Sequence, residues 1–305
     1  MIIVKLKGGL GNQLFQYALG RRLTYFNNVQ LKLDISSYRT YKLHSYGINH
    51  FNIVENIATE DDLNAFGIME GRDSRTILGK VLEKRKPIHK RRRIGERSLA
   101  FDPEILKVSD NVYLDGDWAS EKYFCEIAEV LRAELMPKLR LDKVNEEMAS
   151  EIAGASSVSV HIRRGDYVTN PEINKVHGTC SLKYYNKCIG EIALKVRDPH
   201  FYVFSDDVEW TRKNLVIGHP VTYVDHNNKE NDFKDLYLMS KCKHHIIANS
   251  SFSWWGAWLS TSKDHIVFAT SRWLSPGRTD VLDIIPERWL RVDSQTGEYA
   301  DSVRP

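Results

Sequence analysis

The sequence predicts an α/β fold of two domains, each built around a doubly wound parallel sheet. Short apolar runs of the kind found in buried strands alternate with segments of helical period along most of the chain. Glycine or polar residues separate them, as in βαβ units. The 305 residues are enough for two sizeable cores. We place the domains at residues 1–150 and 151–305.

The N-terminal half begins with a strand, a glycine turn and a helix. IIVKL (2–6) is strand-like and GGLG (8–11) is a turn, after which apolar residues recur at helical spacing up to Phe26. QLKLD (30–34) and VYLDGD (112–117) return as strands. The segment between about 50 and 110 contains helical stretches and a basic run but few clear strands. A helical period from Glu121 to Met136 stops before Pro137.

The C-terminal half has a cleaner pattern of buried strands and helices. The predicted strands are SVSVHI (157–162), FYVFS (201–205), VTYVD (221–225), HIIAN (245–249) and HIVFA (265–269). Helices are predicted to begin near Ser181, Glu209, Phe233 and Ser251. Both patterns together are typical of a parallel sheet covered by helices on its two faces.

Composition excludes several classes of protein. A net charge of +3 is too small for nucleic-acid binding by bulk electrostatics. No apolar stretch approaches the ~20 residues of a spanning helix, and the N-terminal MIIVKLKGG does not resemble a signal peptide. The four cysteines are scattered without a CxxC pair, which disfavours a zinc site or a disulfide framework. We therefore expect a cytoplasmic location.

The segment HIRRGDY carries the strongest functional signal. Its strand delivers Arg163 and Arg164 directly into a turn formed by Gly165 and Asp166. Guanidiniums match phosphate geometry, and a nearby carboxylate can hold one of them in place for a ligand. The alternative is an arginine pair bound to Asp166 at a surface turn, with no ligand.

Polar side chains follow four of the predicted strands in the C-terminal half. Open α/β sheets bind ligands at the carboxyl ends of their strands, so we expect these groups to share one edge. They are Arg163, Arg164 and Asp166; Asp206 and Asp207; Asp225 and His226; and Asn249, Ser250 and Ser251.

Two further segments suggest contact with a phosphate or a sugar. In ANSSFSWWGAWLS (248–260), Ser250 or Ser251 is expected to cap a helix whose N-terminus accepts phosphate, while the tryptophans pack in the core. GGLGNQLFQYALG (8–20) meets neither the P-loop nor the dinucleotide pattern. Its Asn12 either contacts a ligand lodged between the two halves or simply caps a helix.

The basic run KRKPIHKRRR (84–93) contains seven lysines or arginines around one proline. One interpretation is a solvated surface segment. The other is a patch for anionic lipid or an anionic acceptor.

Several motifs together resemble the bacterial α-1,2-fucosyltransferases of glycosyltransferase family 11. They occur in the expected order over nearly the full chain: GGLGNQLFQYALG (8–20), HIRRGDY (161–167), HGTCSLKYY (177–185), FSDDVEW (204–210), VDHN (224–227) and the stretch from Asp235 to Ser260. The resemblance implies a GT-B fold with two Rossmann-like domains and an active site in the cleft between them. The nucleotide sugar would bind mainly to the C-terminal domain and the acceptor to the N-terminal one.

The resemblance also implies roles for single residues. His161 would contact guanine and Arg163 the diphosphate, while Arg164 and Asp166 hold their loop in shape. Asp207, and with less support Asp206, would bind guanine. The other residues expected in the donor site are Asn249, Ser250, Ser251 and Phe252. Asn12 would face the donor, and we expect Arg163, Asn12 and Asp166 to form the catalytic set.

The implied reaction transfers L-fucose with inversion from GDP-β-L-fucose to the 2-hydroxyl of a terminal galactose in an oligosaccharide such as O-antigen. GDP-fucose is then a substrate, and neither a metal nor another cofactor is expected. The general base is left open between Asp34 and Glu121, and Tyr41 and Asp117 are further candidates on the acceptor side. Weak association with the inner face of the membrane is expected through Lys84–Arg93.

Two alternative functions remain open at this stage. The DGD sequence at 115–117 resembles the metal-binding motif of glycosyltransferases that bridge Mg²⁺ or Mn²⁺ to a diphosphate. The chain could also be a nucleotide-sugar or glycan-binding protein without catalysis.

Overall fold

The computed structural model describes residues 1–40, 43–69, 72–274 and 282–300, and the chain forms two compact units. Unit 1 contains Met1–Lys138 together with Leu282–Ile284, and unit 2 contains the rest of the chain. The structure thus divides the chain after residue 138, whereas the sequence analysis places the boundary between residues 150 and 151. The reason is a helix, Lys143–Gly154, whose Ile152 packs in the core of unit 2.

Unit 1 is built around a four-stranded parallel sheet with the order β2-β1-β6-β5. β3 and β4 pair antiparallel in a separate two-stranded sheet. The elements in chain order are β1 (Ile2–Lys5), α1 (Leu10–Asn27), β2 (Leu31–Asp34), α2 (Glu60–Asn64), β3 (Ile68–Met69), β4 (Arg72–Asp73), α3 (Ile77–Arg85), β5 (Arg93–Gly95), β6 (Val112–Asp115) and α4 (Ala128–Glu134).

Unit 2 is built around a six-stranded parallel sheet with the order β12-β11-β10-β7-β8-β9. Its elements in chain order are α5 (Lys143–Gly154), β7 (Ser156–Ile162), α6 (Gly165–Thr169), α7 (Pro171–His177), α8 (Leu182–Lys195), β8 (Pro199–Ser205), α9 (Val208–Asn214), β9 (Val221–Val224), α10 (Asp232–Lys241), β10 (His244–Ile246), α11 (Ser251–Trp258), β11 (Val267–Thr270) and β12 (Leu290–Val292).

The two faces of the unit 2 sheet carry separate cores. On one face Val158 and Val160 of β7 pack with Tyr184 of α8. On the other, Phe204 of β8 packs with Leu238 of α10. Side chains alternate between faces along a strand, so this sheet needs helices on both sides, as the sequence predicts.

Local capping decides where several of these helices begin. The Ser181 side chain accepts a hydrogen bond from the Tyr184 N–H at 3.3 Å, and the Asp142 carboxylate accepts one from the Asn145 N–H at 3.1 Å. These bonds satisfy donors that have no partner inside the helix.

The structure differs from the sequence-based prediction in several elements. The predicted helix from Glu121 to Met136 is two 3₁₀ turns followed by the short α4, because the Phe124 backbone at φ −148° interrupts the helical path. Strands β3, β4, β5 and β12 and helices α5, α6 and α7 were not predicted, and the predicted turn at Gly165 and Asp166 is the start of α6. β5 begins at Arg93, the last residue of the basic run, and β12 has only three residues.

Leu282–Ile284 form a 3₁₀ turn that belongs to unit 1. The Asp283 carboxylate accepts hydrogen bonds from the Phe101 N–H at 2.9 Å and from Lys122 Nζ at 2.5 Å. A late segment of the chain therefore completes the first unit.

Candidate functional site

The candidate site lies at the carboxyl edge of the unit 2 sheet, beside its central strand. After β7 the chain adds β8 and β9 on one side, and then β10, β11 and β12 on the other. The loops that follow β7 and β10 therefore diverge. Such a reversal of strand order is where open α/β sheets bind ligands.

Arg163, just beyond β7, is held by two carboxylates. Its Nη2 donates to Asp166 at 2.5 Å, and its Nη1 lies 3.0 Å from Asp206. The guanidinium also lies 5.3 Å from the centre of the Tyr167 ring. A guanidinium has five N–H groups, so donors remain for a bound anion after both carboxylates are engaged. The side chain is 25% exposed, which leaves it accessible.

Arg164 instead joins two elements of unit 2. Its Nε lies 3.1 Å from Asp207, and its guanidinium stacks 3.4 Å above the ring of Trp210. Asp207 also accepts a hydrogen bond from the Trp210 N–H at 3.2 Å at the start of α9. Both carboxylate oxygens of Asp207 thus have partners within the protein. This geometry favours a supporting role for Asp207 over the expected contact with guanine.

Asp206 connects the two arginines. It accepts the main-chain N–H of Arg164 at 2.7 Å and pairs with Arg163. A Cβ atom at Gly165 would lie 2.6 Å from its Oδ2. Glycine at 165 is therefore needed for this close approach.

His161 lies next to the end of β7 and is 5% exposed. Burial, with a further contribution from Arg163, lowers its pKa to about 3, so the imidazole is neutral at pH 7. Its buried Nδ1 has no hydrogen-bond partner within the part of the chain that the structure describes. The ring centre lies 5.8 Å from that of Phe252 in the first turn of α11. The structure thus brings these two predicted donor-site residues together.

The loop after β10 leads into α11. Ser250 occupies the N-cap position as predicted, but its side chain makes no capping hydrogen bond to the helix within the described residues. Ser251 is the first helical residue. Asn249 is 3% exposed and its Nδ2 donates to the carbonyls of His177 at 2.9 Å and Gly178 at 3.3 Å. Asn249 therefore ties this loop to the end of α7, so its amide is used within the protein.

Two carboxylates of α10 were missed by the sequence analysis. Burial raises the pKa of Asp232 to about 6, although the nearby Arg163 opposes the shift. Burial also raises the pKa of Asp235 to about 7, although a hydrogen bond from Asn227 at 2.7 Å opposes it. Their signal in the sequence was the NDFKD segment after the third strand.

The glycine loop after β1 lies at the carboxyl edge of the unit 1 sheet. Gly8 has φ +76°, and a Cβ there would lie 2.8 Å from Asn12 Nδ2. The buried Gln13 donates to Gly8 O at 3.1 Å and to Ser45 O at 2.8 Å, and accepts the Gly47 N–H at 2.9 Å. This side chain fixes the loop that presents Asn12.

The DGD segment lies at the same edge of unit 1. Asp115 pairs with Lys5 at 3.1 Å and with Lys7 at 3.3 Å. Burial acts to raise the pKa of Asp115, but the two lysines lower it below its usual value. Asp117 is 41% exposed and donates its main-chain N–H to Glu96 at 2.6 Å. No cluster of three metal-ligating residues was found among the residues described.

The remaining acceptor-side candidates have different environments. Asp34 is 1% exposed and accepts hydrogen bonds from the Tyr113 hydroxyl at 2.7 Å and the Ser36 N–H at 2.9 Å. It is a structural group, and the suggestion that it contacts an acceptor or acts as the base does not fit this geometry. Glu121 begins a 3₁₀ turn of unit 1 and is partly exposed. Tyr41 lies outside the described residues.

The unit 2 site can bind an anion and discriminate the group attached to it. A fixed guanidinium and the N-terminus of α11 favour phosphate oxygens. The neutral His161 and the carboxyl group of Asp232, which interacts electrostatically with Arg163, offer donors and acceptors of hydrogen bonds.

Comparison with known proteins agrees with this chemistry. The chain matches the description Glycosyl transferase family 11 over residues 88–290. It is 35% identical to an Alpha-1,2-colitosyltransferase of Escherichia coli over 96% of this chain and 99% of that protein. It is 30% identical to the O-antigen biosynthesis glycosyltransferase WbnK of Escherichia coli over 94% and 99%.

More distant relatives extend the comparison. Galactoside alpha-(1,2)-fucosyltransferase 2 of Gorilla gorilla gorilla is 29% identical over 46% of this chain and 43% of that protein. The fold resembles that of an Arabidopsis thaliana FUT1 mutant in complex with GDP, with a TM-score of 0.53 and 11% identity over 93% of this chain and 74% of that one.

The two parallel-sheet units and these similarities define a glycosyltransferase of the GT-B fold class. The chain belongs to glycosyl transferase family 11. The sequence-based resemblance and fold class are thereby confirmed. Among the described residues, no helix has the length and apolar character needed to cross a bilayer.

Proposed function

We propose that this glycosyltransferase transfers L-fucose from GDP-β-L-fucose to the 2-hydroxyl of a terminal galactose, with inversion and without a metal. The observation that carries the proposal is Arg163, held between Asp166 and Asp206 beside the reversal point of the unit 2 sheet. The names of the fucosyltransferase and O-antigen relatives support the donor and the acceptor class.

In this mechanism the leaving diphosphate binds to unit 2. Negative charge accumulates on its oxygens as the bond to the sugar breaks, and Arg163 and the N-terminus of α11 stabilise that charge. Asp166 and Asp206 fix the guanidinium before the donor arrives, so little reorganisation accompanies the reaction. His161 and Phe252 would contact the guanine, and Ser250 and Ser251 the phosphates.

From unit 1 we retain Asn12, which would face the donor, and Asp117 and Glu121, which would contact the acceptor. Asn12 lies in the first turn of α1, beside a loop that Gln13 fixes. Asp117 is the more accessible carboxylate of the DGD segment.

Lysine pairing in unit 1 supports a reaction without a metal. Lys5 and Lys7 supply the positive charge beside Asp115 that a divalent ion would otherwise supply. We expect full transfer activity in excess EDTA. Activity abolished by EDTA and restored by Mn²⁺ would instead favour the alternative in which the DGD segment binds a metal.

A donor screen tests the proposal directly. The purified protein would be incubated with lactose and, in separate reactions, GDP-fucose, GDP-colitose, GDP-mannose or UDP-galactose, and the product linkage read by NMR. We expect an α-1,2-linked fucosyl product. GDP-colitose is included because the relative that is 35% identical is named a colitosyltransferase, which makes colitosyl transfer the second candidate. Preferred turnover of GDP-colitose would replace fucose as the donor sugar.

A binding protein without catalysis gives a different result. It would bind GDP-fucose in calorimetry and yield no product with any galactose-terminated acceptor.

A further inference from the structure

Helix α3 exposes its apolar side chains. None of its residues is buried. Ile77, Leu78, Val81 and Leu82 are 83%, 68%, 43% and 51% exposed, respectively. Leu78, Val81 and Leu82 follow Ile77 by one, four and five residues, which places all four on a single face of the helix. We call this set the apolar face of α3.

Polar contacts elsewhere on the helix attach it to unit 1. Glu83 accepts a hydrogen bond from the Arg92 main-chain N–H and another from Lys86 Nζ at 2.8 Å. Glu83 lies away from the apolar face at helical spacing. Its bonds therefore hold α3 with the apolar face directed outward.

Basic side chains border this face. Lys84, Arg85, Lys86 and Lys90 are all exposed, and we call them the basic flank. Arg91 folds the segment back by donating to the carbonyls of Lys84 at 2.7 Å and Lys86 at 2.9 Å. Over the described ranges, no acidic side chain pairs with Lys84, Arg85 or Lys90.

The last two arginines of the basic run have another function. Arg92 donates to Ala65 O at 3.1 Å and lies over the Phe66 ring, and Arg93 donates to Gly67 O at 3.1 Å. Arg92 and Arg93 support unit 1, so they do not belong to the basic flank.

We propose that the apolar face of α3 and the basic flank dock this protein onto a bilayer that contains anionic phospholipids. An apolar helix face bordered by lysines and arginines is the composition of a helix that lies in a membrane interface. Basic residues beside the bilayer are attracted to its anionic headgroups.

Charge favours a bilayer over the other possible occupants. A second copy docked through the same face in a two-fold dimer would bring two basic flanks together. A nucleic acid would use the basic flank but leave Ile77 and Leu78 exposed. An anionic bilayer can bury the apolar face of α3 and bind the basic flank at the same time.

Vesicle co-sedimentation of the full chain tests this proposal. We expect the protein to pellet with vesicles of phosphatidylcholine and phosphatidylglycerol, and much less with phosphatidylcholine alone. Combining Leu78→Glu with Leu82→Glu should weaken binding by at least about tenfold. Combining Lys84→Ala, Arg85→Ala and Lys90→Ala should weaken it by roughly a hundredfold, at about fivefold for each basic residue.

Matched controls lie on unit 2. Leu194 is 84% exposed, and Leu194→Glu should leave vesicle binding unchanged. The exposed Lys143 and Arg197 serve as charge controls when each is changed to alanine. All variants should keep the thermal midpoint of the wild type, because none of the substituted side chains is buried.

Three outcomes would overturn the proposal. The wild type could fail to pellet with the anionic vesicles. The α3 and basic-flank variants could bind as well as the wild type. Sedimentation velocity could also show a wild-type dimer that Leu78→Glu dissociates, which would identify a second copy as the occupant.

Discussion

Two carboxylates hold Arg163 in place, whereas Arg164 is committed to Asp207 and the Trp210 ring. Neighbouring arginines of the same motif therefore have separate functions. Arg163 keeps donors for a ligand beside the reversal point of the sheet, and Arg164 connects Asp207 and Trp210, so single-residue substitutions can separate catalysis from support.

Replacing Arg163 by alanine should remove most of the stabilisation of the leaving group. We expect kcat to fall by two to three decades, about 3–4 kcal/mol in the barrier, with the fold retained. Steady-state kinetics with GDP-fucose measure this. Arg212→Ala is the matched control, because Arg212 also pairs with an aspartate at 2.7 Å and stacks on an aromatic ring. A rate above about a tenth of the wild-type value for Arg163→Ala would remove Arg163 from its proposed role.

Buried histidines should make the fold sensitive to acid. Burial, with a contribution from His265 and His244, lowers the pKa of His245 to about 3. An unfolded histidine titrates near pH 6.5, so the folded state binds fewer protons below that pH. The stability that the neutral His245 contributes is therefore fully present above about pH 6.5 and is lost progressively as the pH falls below that value.

The measurement is urea unfolding of His245→Gln and the wild type at pH 7 and pH 5. The variant should lose about 2 kcal/mol less than the wild type between the two values. His219→Gln, at an exposed site, should behave as the wild type does. An unchanged pH dependence in His245→Gln would show that this histidine is not the group responsible.

The sequence alone located the arginine motif, but it did not show which polar atoms of the candidate residues already have hydrogen-bond partners within the protein. Asp207 and Asn249 stand in suggestive positions, yet their polar atoms are engaged within unit 2. Asp34 looked like an accessible carboxylate at the end of a strand, and it is buried against Tyr113. Each of the three has a partner at least 43 residues away in the sequence, so no local pattern reports it.

At the scale of elements, the turn after β7 depends on close approach between two loops. Gly165→Ala would place a Cβ atom 2.6 Å from Asp206 Oδ2 and force that carboxylate away from Arg163. We expect transfer activity to fall by about tenfold or more, with a small loss of stability. Gly190→Ala in α8 is the control, because nothing lies within 4 Å of its new Cβ. Equal activity in both variants would show that Asp206 does not position Arg163.

The loop after β1 should be equally sensitive to its glutamine. Gln13→Leu leaves the Gly47 N–H and the carbonyls of Gly8 and Ser45 without this partner. We expect the free energy of unfolding to fall by about 2–3 kcal/mol. Thermal or urea unfolding measures it, and Gln30→Leu at an exposed site should change stability by less than about 0.5 kcal/mol. A similar loss of stability in both variants would contradict the proposal that the Gln13 side chain holds this loop in place.

Elements with strong apolar patterns were predictable, and short ones were not. β1, β2 and the buried strands of unit 2 stand where alternation or an apolar run indicates them. β5 is only three residues long and begins at the last residue of the basic run. Its pairing with β6 therefore supplies the stabilisation that its own sequence does not indicate. Tertiary pairing of this kind leaves no local signal.

At the scale of the whole molecule, the sequence supports the two parallel sheets and the family. Chain order alone could not reveal which strand is central in each sheet. That assignment places the reversal point beside β7 and turns a set of polar strand ends into one site.

The return of Leu282–Ile284 to unit 1 has a consequence for biosynthesis. A ribosome releases Asp283 only after nearly all of unit 2 has been made, so Phe101 and Lys122 must wait for their acceptor. Unit 1 would then leave the ribosome without its last segment and complete its folding only after Leu282–Ile284 has been made. The two units would therefore not fold independently, one after the other, during translation.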